Sequence, residues 1–445
     1  MGSEVQAQTQ KSTRRERWAW YLYDFGNSAY ASVVLLAVYS AYFQKRVVGG
    51  AEGTRLWGWA LFIAMLAVAL SAPVLGAIAD FGGAKKRFLL IFTALSCLFT
   101  AGLFFAVPGA VLIGMAFFIL AEIGYRVSQV FYNGLLPEIA APEEMGRVSG
   151  YGWAIGTAGG IVILFLIMPL DKLIGGDLSA RLSLVVTAVF FALFALPVFF
   201  WLRERAQPQQ LPAGENYLGV AFRQLWRTIK TAGRFKEFVK FIIAFLVYND
   251  GIIMALDFSA IIGAGLFGLD QQQLIVFFII VQLTNVVGAF GFGYLVDRIG
   301  GKRSLVIALL MMIGVVLSLY FAQTATAFFV IGAAAGVAMA GAQSVSRTMV
   351  AFFAPPGQSA EFYGFFAFAG RTSSFIGPAV FGTLAAELAL WYQAQDVGRE
   401  QAEQMGLRLA VLSIAVFLLA GLILLAFVDE RRAQREGAAS GSEPG

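Results

Sequence analysis

The 445-residue sequence predicts an all-α integral membrane protein, twelve spanning helices arranged as two pseudo-symmetric six-helix halves around a central cavity. Three observations carry that expectation. The composition is 59% apolar and only 13% charged, with a mean hydropathy of +0.75, far outside the range of water-soluble domains. Apolar runs of about 20 residues or more, the length an α-helix needs to cross ~30 Å of hydrocarbon, recur along the whole chain. Finally, one short string occurs twice, about 217 residues apart, each time where an apolar run ends. The copies begin at Gly76 and Gly293 and run through Asp80, Gly83, Lys85 and Lys86 in the first, and Asp297, Arg298, Gly300, Lys302 and Arg303 in the second. Each reads as a helix leaving the bilayer, a tight glycine turn and a basic cluster held at the water interface.

The first six runs lie at roughly 18–44, 55–79, 87–107, 109–134, 148–170 and 182–202. The second six lie at roughly 237–264, 271–296, 303–323, 325–351, 361–391 and 406–428. The halves are therefore 1–205 and 237–445, joined by a linker at 206–236. In the linker Leu218, Phe222, Leu225, Trp226 and Ile229 repeat at helical spacing beside Arg223, Arg227 and Lys230, the pattern of an amphipathic helix on a membrane surface or on the adjoining loops. The tails, 1–12 and 433–445, have the polar composition of disordered chain. With the N-terminus inside, about 22 basic residues fall on the cytoplasmic side, about 7 outside and 3 within spans, so both termini are expected in the cytoplasm of a bacterial plasma membrane. The first run carries Asp24 and Asn27 and is too long for a cleaved signal peptide.

Composition also excludes function classes. Cys97 is the single cysteine and there is no histidine, which removes cysteine metal sites, internal disulfides and histidine relays. No cofactor is expected, and the net charge of +5 follows topology rather than a nucleic-acid patch. No nucleophile–base pair suggests an enzyme, and no phosphate-cradling Gly-rich string ending in Lys-Ser/Thr suggests ATP use. The expected partners are the lipid bilayer, a small-molecule substrate and protons, with the chain acting as a monomer.

The duplication extends past the glycine turns: Leu136 to Gly150 aligns with Val350 to Gly364 at a constant offset of 214, and Gly156 then meets Gly370. Halves related in this way commonly enclose a site at the midplane and rock about it. The doubled string resembles the signature of the major facilitator superfamily, whose helix count, spacing and central loop the whole chain shares. The second copy fits at every position, whereas the first has Phe81 where a basic residue is usual. Trp20 to Tyr30, Leu136 to Trp153 and Tyr248-Asn249-Asp250-Gly251 further resemble the vacuole-effluxer family, whose eukaryotic members are autophagy-related permeases releasing amino acids from the vacuole. In that comparison Arg371 stands where a lysine is expected, which keeps the charge but changes its geometry.

Ionisable groups inside spans are costly unless paired or hydrated, so each is a candidate functional residue. They are Asp24, Glu122, Arg126, Asp250, Asp257, Arg347 and Arg371, and the superfamily resemblance implies that all but Arg371 lie on the cavity-lining helices 1, 4, 7 and 10. At 1.5 Å per residue Glu122 and Asp250 fall near mid-bilayer, while Asp257 and Arg347 fall near helix ends and read as interfacial. Glu122, Arg126, Gln129 and Asn133 follow i, i+4, i+7, i+11, one polar stripe on the fourth span. This stripe fits either a substrate anion held by Arg126 or a self-neutralising Glu122–Arg126 pair. Asp24, Asn27 and Tyr30 on the first span, Tyr248, Asn249 and Asp250 on the seventh, and Gln343 on the tenth complete the expected substrate contacts. Gly251 beside Asn249-Asp250 predicts local unwinding of the seventh helix. Asp24 and Asp250 suit an ammonium group; Arg126 and Arg371 suit a carboxylate. Glu122, Asp250 and Asp24 are the proton-coupling candidates. Asp80 and Asp297, with Lys85, Lys86, Arg298, Lys302, Arg303 and Arg347, read as a gate at the glycine-turn end rather than substrate contacts. Gly152, Gly156 and Gly160 read as close helix packing.

The pattern predicts a secondary transporter working by alternating access on a small polar, amphoteric solute such as an amino acid. Trp20, Tyr23, Tyr30, Tyr132 and Trp153 also admit an exporter of lipophilic or aromatic compounds, and a ligand sensor that moves nothing is a further alternative.

Overall fold

The computed structural model describes residues 13–140, 144–205, 235–353 and 375–430, with 219, 362, 365, 366, 369, 370 and 432, and only the backbone at 73, 77, 80, 81, 137, 145–147, 351 and 352. The linker helix, Arg371 and the side chain of Asp80 lie outside the described residues.

The first span starts as α1 (Arg14–Tyr30), with Thr13 and Glu16 closing a reciprocal capping box. It continues in wide π-type turns over Ala31–Ala37, breaks at Val38 (φ −123°, ψ −64°), and resumes through Tyr39–Tyr42 and Phe43–Val48. The other spans of this half are α2 (Gly50–Gly82), α3 (Lys85–Gly102), α4 (Val111–Gly134), α5 (Met145–Leu173) and α6 (Gly176–Trp201). The second half holds α7 (Lys236–Asp257), α8 (Gln271–Ile299), α9 (Gly301–Phe321), α10 (Ala325–Phe353), α11 (Ile376–Gln393) and α12 (Arg399–Ala426). Among the described residues ten helices are long and apolar enough to cross a membrane. The remaining two expected spans are the broken first one and α11, whose earlier part is outside the described residues.

Both predicted glycine turns form, with Gly83 in the left-handed region (φ 54°) and Gly300 at φ 88°, positions that side-chain-bearing residues rarely adopt. The two halves then fasten their turn ends in the same way. Glu204, just past α6, accepts from the backbone N–H groups of Lys85 (2.6 Å) and Lys86 (3.1 Å), the first residues of α3. Glu430, just past α12, accepts from those of Gly301 (3.3 Å) and Lys302 (3.2 Å), the first residues of α9. Each carboxylate sits at a helix N-terminus, where the unpaired N–H groups and the helix dipole favour negative charge. Lys86 Nζ donates to Leu202 O (2.6 Å), and Lys302 Nζ to Ala426 O (2.9 Å) and Val428 O (2.6 Å). The basic residues of the repeated string thus tie neighbouring helices of one half together.

The halves meet at the opposite end. There Gly58 of α2 packs on the Pro378 carbonyl, Arg55 reaches Glu387 of α11 at 3.5 Å, and a Cβ on Gly382 would fall 2.7 Å from Thr54 O. At the glycine-turn end, among the described residues, Gly76 and Gly293 have nothing within 4 Å of where a Cβ would stand, and Asp297, Asn133 and Arg347 are exposed.

Candidate functional site

Side chains with charge gather where the two halves meet in the middle of the bundle. On α4, Arg126 Nε donates to Glu122 Oε1 at 2.6 Å across one helical turn. Glu122 is fully buried, whereas the Arg126 side chain is 23% exposed, so the guanidinium has a dry side and a wetter one. It lies 5.4 Å from the Tyr125 ring centre, and Tyr125 in turn stacks on Tyr30 at 4.5 Å.

Asp257 completes this cluster from the other half. It is 3% exposed, and its carbonyl accepts from Trp57 Nε1 of α2 at 3.1 Å. Asp257, expected near a helix end, is the last residue of α7 and is buried there against protein. After a break at Phe258 the chain continues into a further helix, Ser259–Phe267, so Asp257 stands at a junction between two helices. Its spacing of seven from Asp250 puts both on one face of α7, and that signal was present in the sequence. Trp57 carried no such signal, because only the fold brings α2 against α7.

The expected unwinding of the seventh helix is corrected. Helix α7 runs without interruption through Asn249, Asp250 and Gly251, and breaks only at Phe258. Gly251 instead lets α12 approach, since a Cβ there would meet Phe417 at 3.1 Å. Irregular backbone falls in the first span, where π-type turns follow Tyr30.

Asp24 and Asp250 each lie against a glycine of a neighbouring helix in their own half, at positions the repeat does not align. Asp24 is half-buried on α1, and a Cβ on Gly156 of α5 would lie 2.5 Å from its Oδ2. Asp250 is 3% exposed on α7; its Oδ2 accepts from Gly377 N of α11 at 3.0 Å, and a Cβ on Gly377 would lie 2.8 Å from its Oδ1. Asp250 Oδ1, Glu122 Oε2, Asp257 Oδ2 and Tyr30 Oη are buried with no hydrogen-bond partner among the described residues. The packing role expected for the α5 glycines holds: Gly152 abuts the Trp20 ring, Gly156 Asp24, and Gly160 the Ser32 hydroxyl.

The remaining expected residues are distributed around this centre. Asn27 is buried and accepts a long 3.5 Å bond from Gln129, while Asn133 donates back to Gln129 O at 2.7 Å. Tyr248 Oη shares a 2.6 Å hydrogen bond with Ser346 Oγ, joining α7 to α10, with Asn249 buried beside it and Gln343 half-buried on α10. Trp20 stacks on Tyr132 at 4.4 Å, Tyr132 on Tyr23 at 5.0 Å, and Trp20 Nε1 donates to Tyr132 O, so these rings hold α1 to α4. Arg298 lies over the Tyr294 ring at 4.3 Å and Arg303 is exposed.

Comparisons with known proteins agree on a transporter. The sequence model of the family described as "Vacuole effluxer Atg22 like" matches residues 60–145 and 142–438. An uncharacterized MFS-type transporter, YxiO, of Bacillus subtilis (strain 168) is 27% identical over 429 residues, covering 94% of this chain and 95% of that one. Autophagy-related protein 22-1 of Penicillium rubens is 23% identical over 474 residues, covering 86% of this chain and 77% of its own. Among solved structures, a bacterial homolog of the human lysosomal transporter Spinster, inward-facing and unoccupied, superposes with a TM-score of 0.71 at 15% identity, covering 96% of this chain and 99% of that one.

Proposed function

The chain belongs to the Atg22-like vacuole effluxer family of the major facilitator superfamily, and from that premise we propose that it exchanges a small amphoteric solute of the amino-acid class by proton-coupled alternating access. It is a membrane transporter and not an enzyme. The observation that carries the substrate reading is the charge mixture at the centre. Asp250 keeps a buried carboxylate oxygen without a partner among the described residues, and Arg126 turns a partly exposed guanidinium to the interior. A zwitterion offers one group to each. Its ammonium pairs with the buried Asp250 oxygen that has no partner among the described residues, with Asp24 as a second carboxylate, and its carboxylate takes the donors of Arg126 that Glu122 does not use. Arg371, expected on the eleventh span and outside the described residues, is the second proposed anion partner.

Alternating access fits the shape. The described residues pack closely where α2 meets α11 and leave Asn133, Asp297 and Arg347 exposed at the glycine-turn end, which supports an inward-facing state with both termini cytoplasmic, as the basic-residue bias favours. The lipophilic-exporter reading has less support, because Trp20, Tyr23 and Tyr132 stack on one another and Tyr30 stacks on Tyr125.

Counterflow in proteoliposomes tests this directly. Vesicles loaded with unlabelled amino acids should take up the matching labelled compound without an ion gradient, and Asp250→Asn should reduce that exchange at least tenfold. Wild-type exchange with unchanged Asp250→Asn exchange removes the ammonium assignment. Absence of exchange across the panel by folded protein rejects the amino-acid class.

A further inference from the structure

We infer that Gln282, reaching from α8 into the first half, forms with Ser28 and Ser32 of the first span the subsite for the solute's side chain, and that this subsite selects an uncharged polar group, a hydroxyl or a carboxamide. The inference rests on the amino-acid reading and narrows it. Helices α1 and α5 touch backbone to backbone, Gly159 against Phe25, so the α1 side chains that face α5 meet glycine. Asp24, Ser28 and Ser32 recur every four residues on that face. A Cβ on Gly156 would lie 3.0 Å from Ser28 Oγ as well as against Asp24, and a Cβ on Gly160 would lie 2.5 Å from Ser32 Oγ and 3.4 Å from Gln282 Nε2. The Gln282 amide therefore meets the polar row where it ends, with no α5 side chain between them. Gln282 stands ~16 Å from the start of α8 and Gly160 ~22 Å from the start of α5, both near mid-bilayer.

Hydrogen bonding separates this row from ordinary packing. Polar side chains inside a membrane bundle commonly tie helices together, and the neighbours of the row do so: Asn285 Nδ2 donates to Gly336 O of α10 at 3.4 Å, and Asn27 accepts from Gln129 of α4. The side chains of Asp24, Ser28, Ser32 and Gln282 make no hydrogen bond or ion pair among the described residues. Ser32 is only 2% exposed. Hydroxyl and carboxamide groups left unbonded in such a setting cost free energy, and a solute that brings matching groups removes the cost.

The kind of group follows from the row's chemistry. A solute hydroxyl or carboxamide can accept from Gln282 Nε2 and exchange hydrogen bonds with Ser28 and Ser32, whose hydroxyls both donate and accept. A hydrocarbon side chain in the same place buries those groups unpaired, and a subsite built to hydrogen-bond rejects such an analogue more strongly than an apolar pocket separates sizes. The row's one charge, Asp24, serves the ammonium, so a charged solute side chain finds no counter-ion along Ser28, Ser32 and Gln282.

Initial rates of counterflow in proteoliposomes are compared for labelled threonine against valine and for asparagine against leucine, pairs close in shape that differ in hydrogen-bonding groups. Wild type should exchange threonine and asparagine at least tenfold faster than their partners at equal, sub-saturating concentration. Gln282→Leu should cut the asparagine-to-leucine ratio at least fivefold. Ser32→Ala, which keeps the test alive if the first variant does not fold, should cut the threonine-to-valine ratio by a similar factor. Each ratio is taken within one preparation, so a loss of folded protein alone does not move it. Equal or reversed wild-type rates overturn the inference while amino-acid exchange stands. Wild-type ratios retained in both variants overturn it as well, since the preference then arises elsewhere. Exchange of no amino acid by folded protein overturns it together with the reading it rests on, an outcome distinct from a failed subsite, in which valine and leucine still exchange.

Discussion

The glycine-turn end and the central seam were built from the same duplication, yet only one of them still shows it. At the turn end Glu204 and Glu430 each cap the helix after a glycine turn, and Glu16 and Glu237 each accept from the backbone just beyond the sixth helix of their half, from Arg203 N at 3.2 Å and Asp429 N at 2.7 Å. At the seam, Glu122, Arg126 and Asp257 have no counterparts in the opposite half. The difference follows from the tasks. Each half must hold its own six helices rigid, which is the same problem twice. The seam must respond differently on its two sides, and a symmetric charge pattern would put like charges against each other.

Between these extremes stand the two aspartate–glycine contacts, and they offer the largest test. If Asp24 against Gly156 and Asp250 against Gly377 serve exchange alike, although the repeat does not align them, then Gly156→Ala and Gly377→Ala should each reduce counterflow by tenfold or more. A methyl group 2.5–2.8 Å from a carboxylate oxygen must displace either the aspartate or the helix, a strain of about 1–3 kcal/mol. Folded protein should still be recovered, as judged by gel filtration in detergent. Loss in Gly377→Ala alone would place the aspartates with the asymmetric seam, and normal exchange in both would show that neither carboxylate position matters.

Much of this architecture was legible in the sequence, and the reasons differ by region. Spans, glycine turns and the Glu122–Arg126 pair depend on local spacing, which a single helix records. The α5 glycines were legible as packing positions, but not that Gly156 faces Asp24, since the partner lies over 130 residues away. The unwinding expected at Gly251 failed because glycine served close approach of α12 rather than a break. Asp257 was legible as a residue near a helix end, but its burial was not, because that depends on Trp57 of α2 and on the second helix after Phe258. Glu204 and Glu430 look like ordinary interfacial charges until the fold brings them to helix starts in the middle of the chain.

A smaller effect tests the repeated caps themselves. Glu204→Gln and Glu430→Gln each weaken two charge-assisted bonds to backbone N–H groups, and each should cost about 1–3 kcal/mol of stability. Thermal unfolding in detergent should show similar losses for the two variants and an additive loss for the double variant, since the sites lie in different halves. A loss confined to one half would break the equivalence at the turn end.

The smallest effect distinguishes the two first helices and has a defined sign. Burial raises the Glu16 carboxyl, but hydrogen bonds from Arg205, Thr13 and Arg203 outweigh it and hold the group down at about 2, against an ordinary value of 4.5. A carboxylate held low in the folded state contributes stability that is fully present above the ordinary value and disappears as pH falls toward the folded one. The stability gap between wild type and Glu16→Gln should therefore be constant from pH 8 to about pH 5 and narrow steadily toward pH 3. In the other half Lys240 Nζ, 2.7 Å from Glu237, takes the part that Arg205 plays for Glu16, and that lysine is 45% exposed. Lys240→Ala should accordingly cost less than Arg205→Ala, by the difference between a screened surface partner and a guanidinium that also bonds the Glu138 and Arg203 carbonyls. Equal losses in the two variants, measured in the same detergent, would mean that the halves are clipped with equal strength and that the repeat reaches down to the side-chain partners.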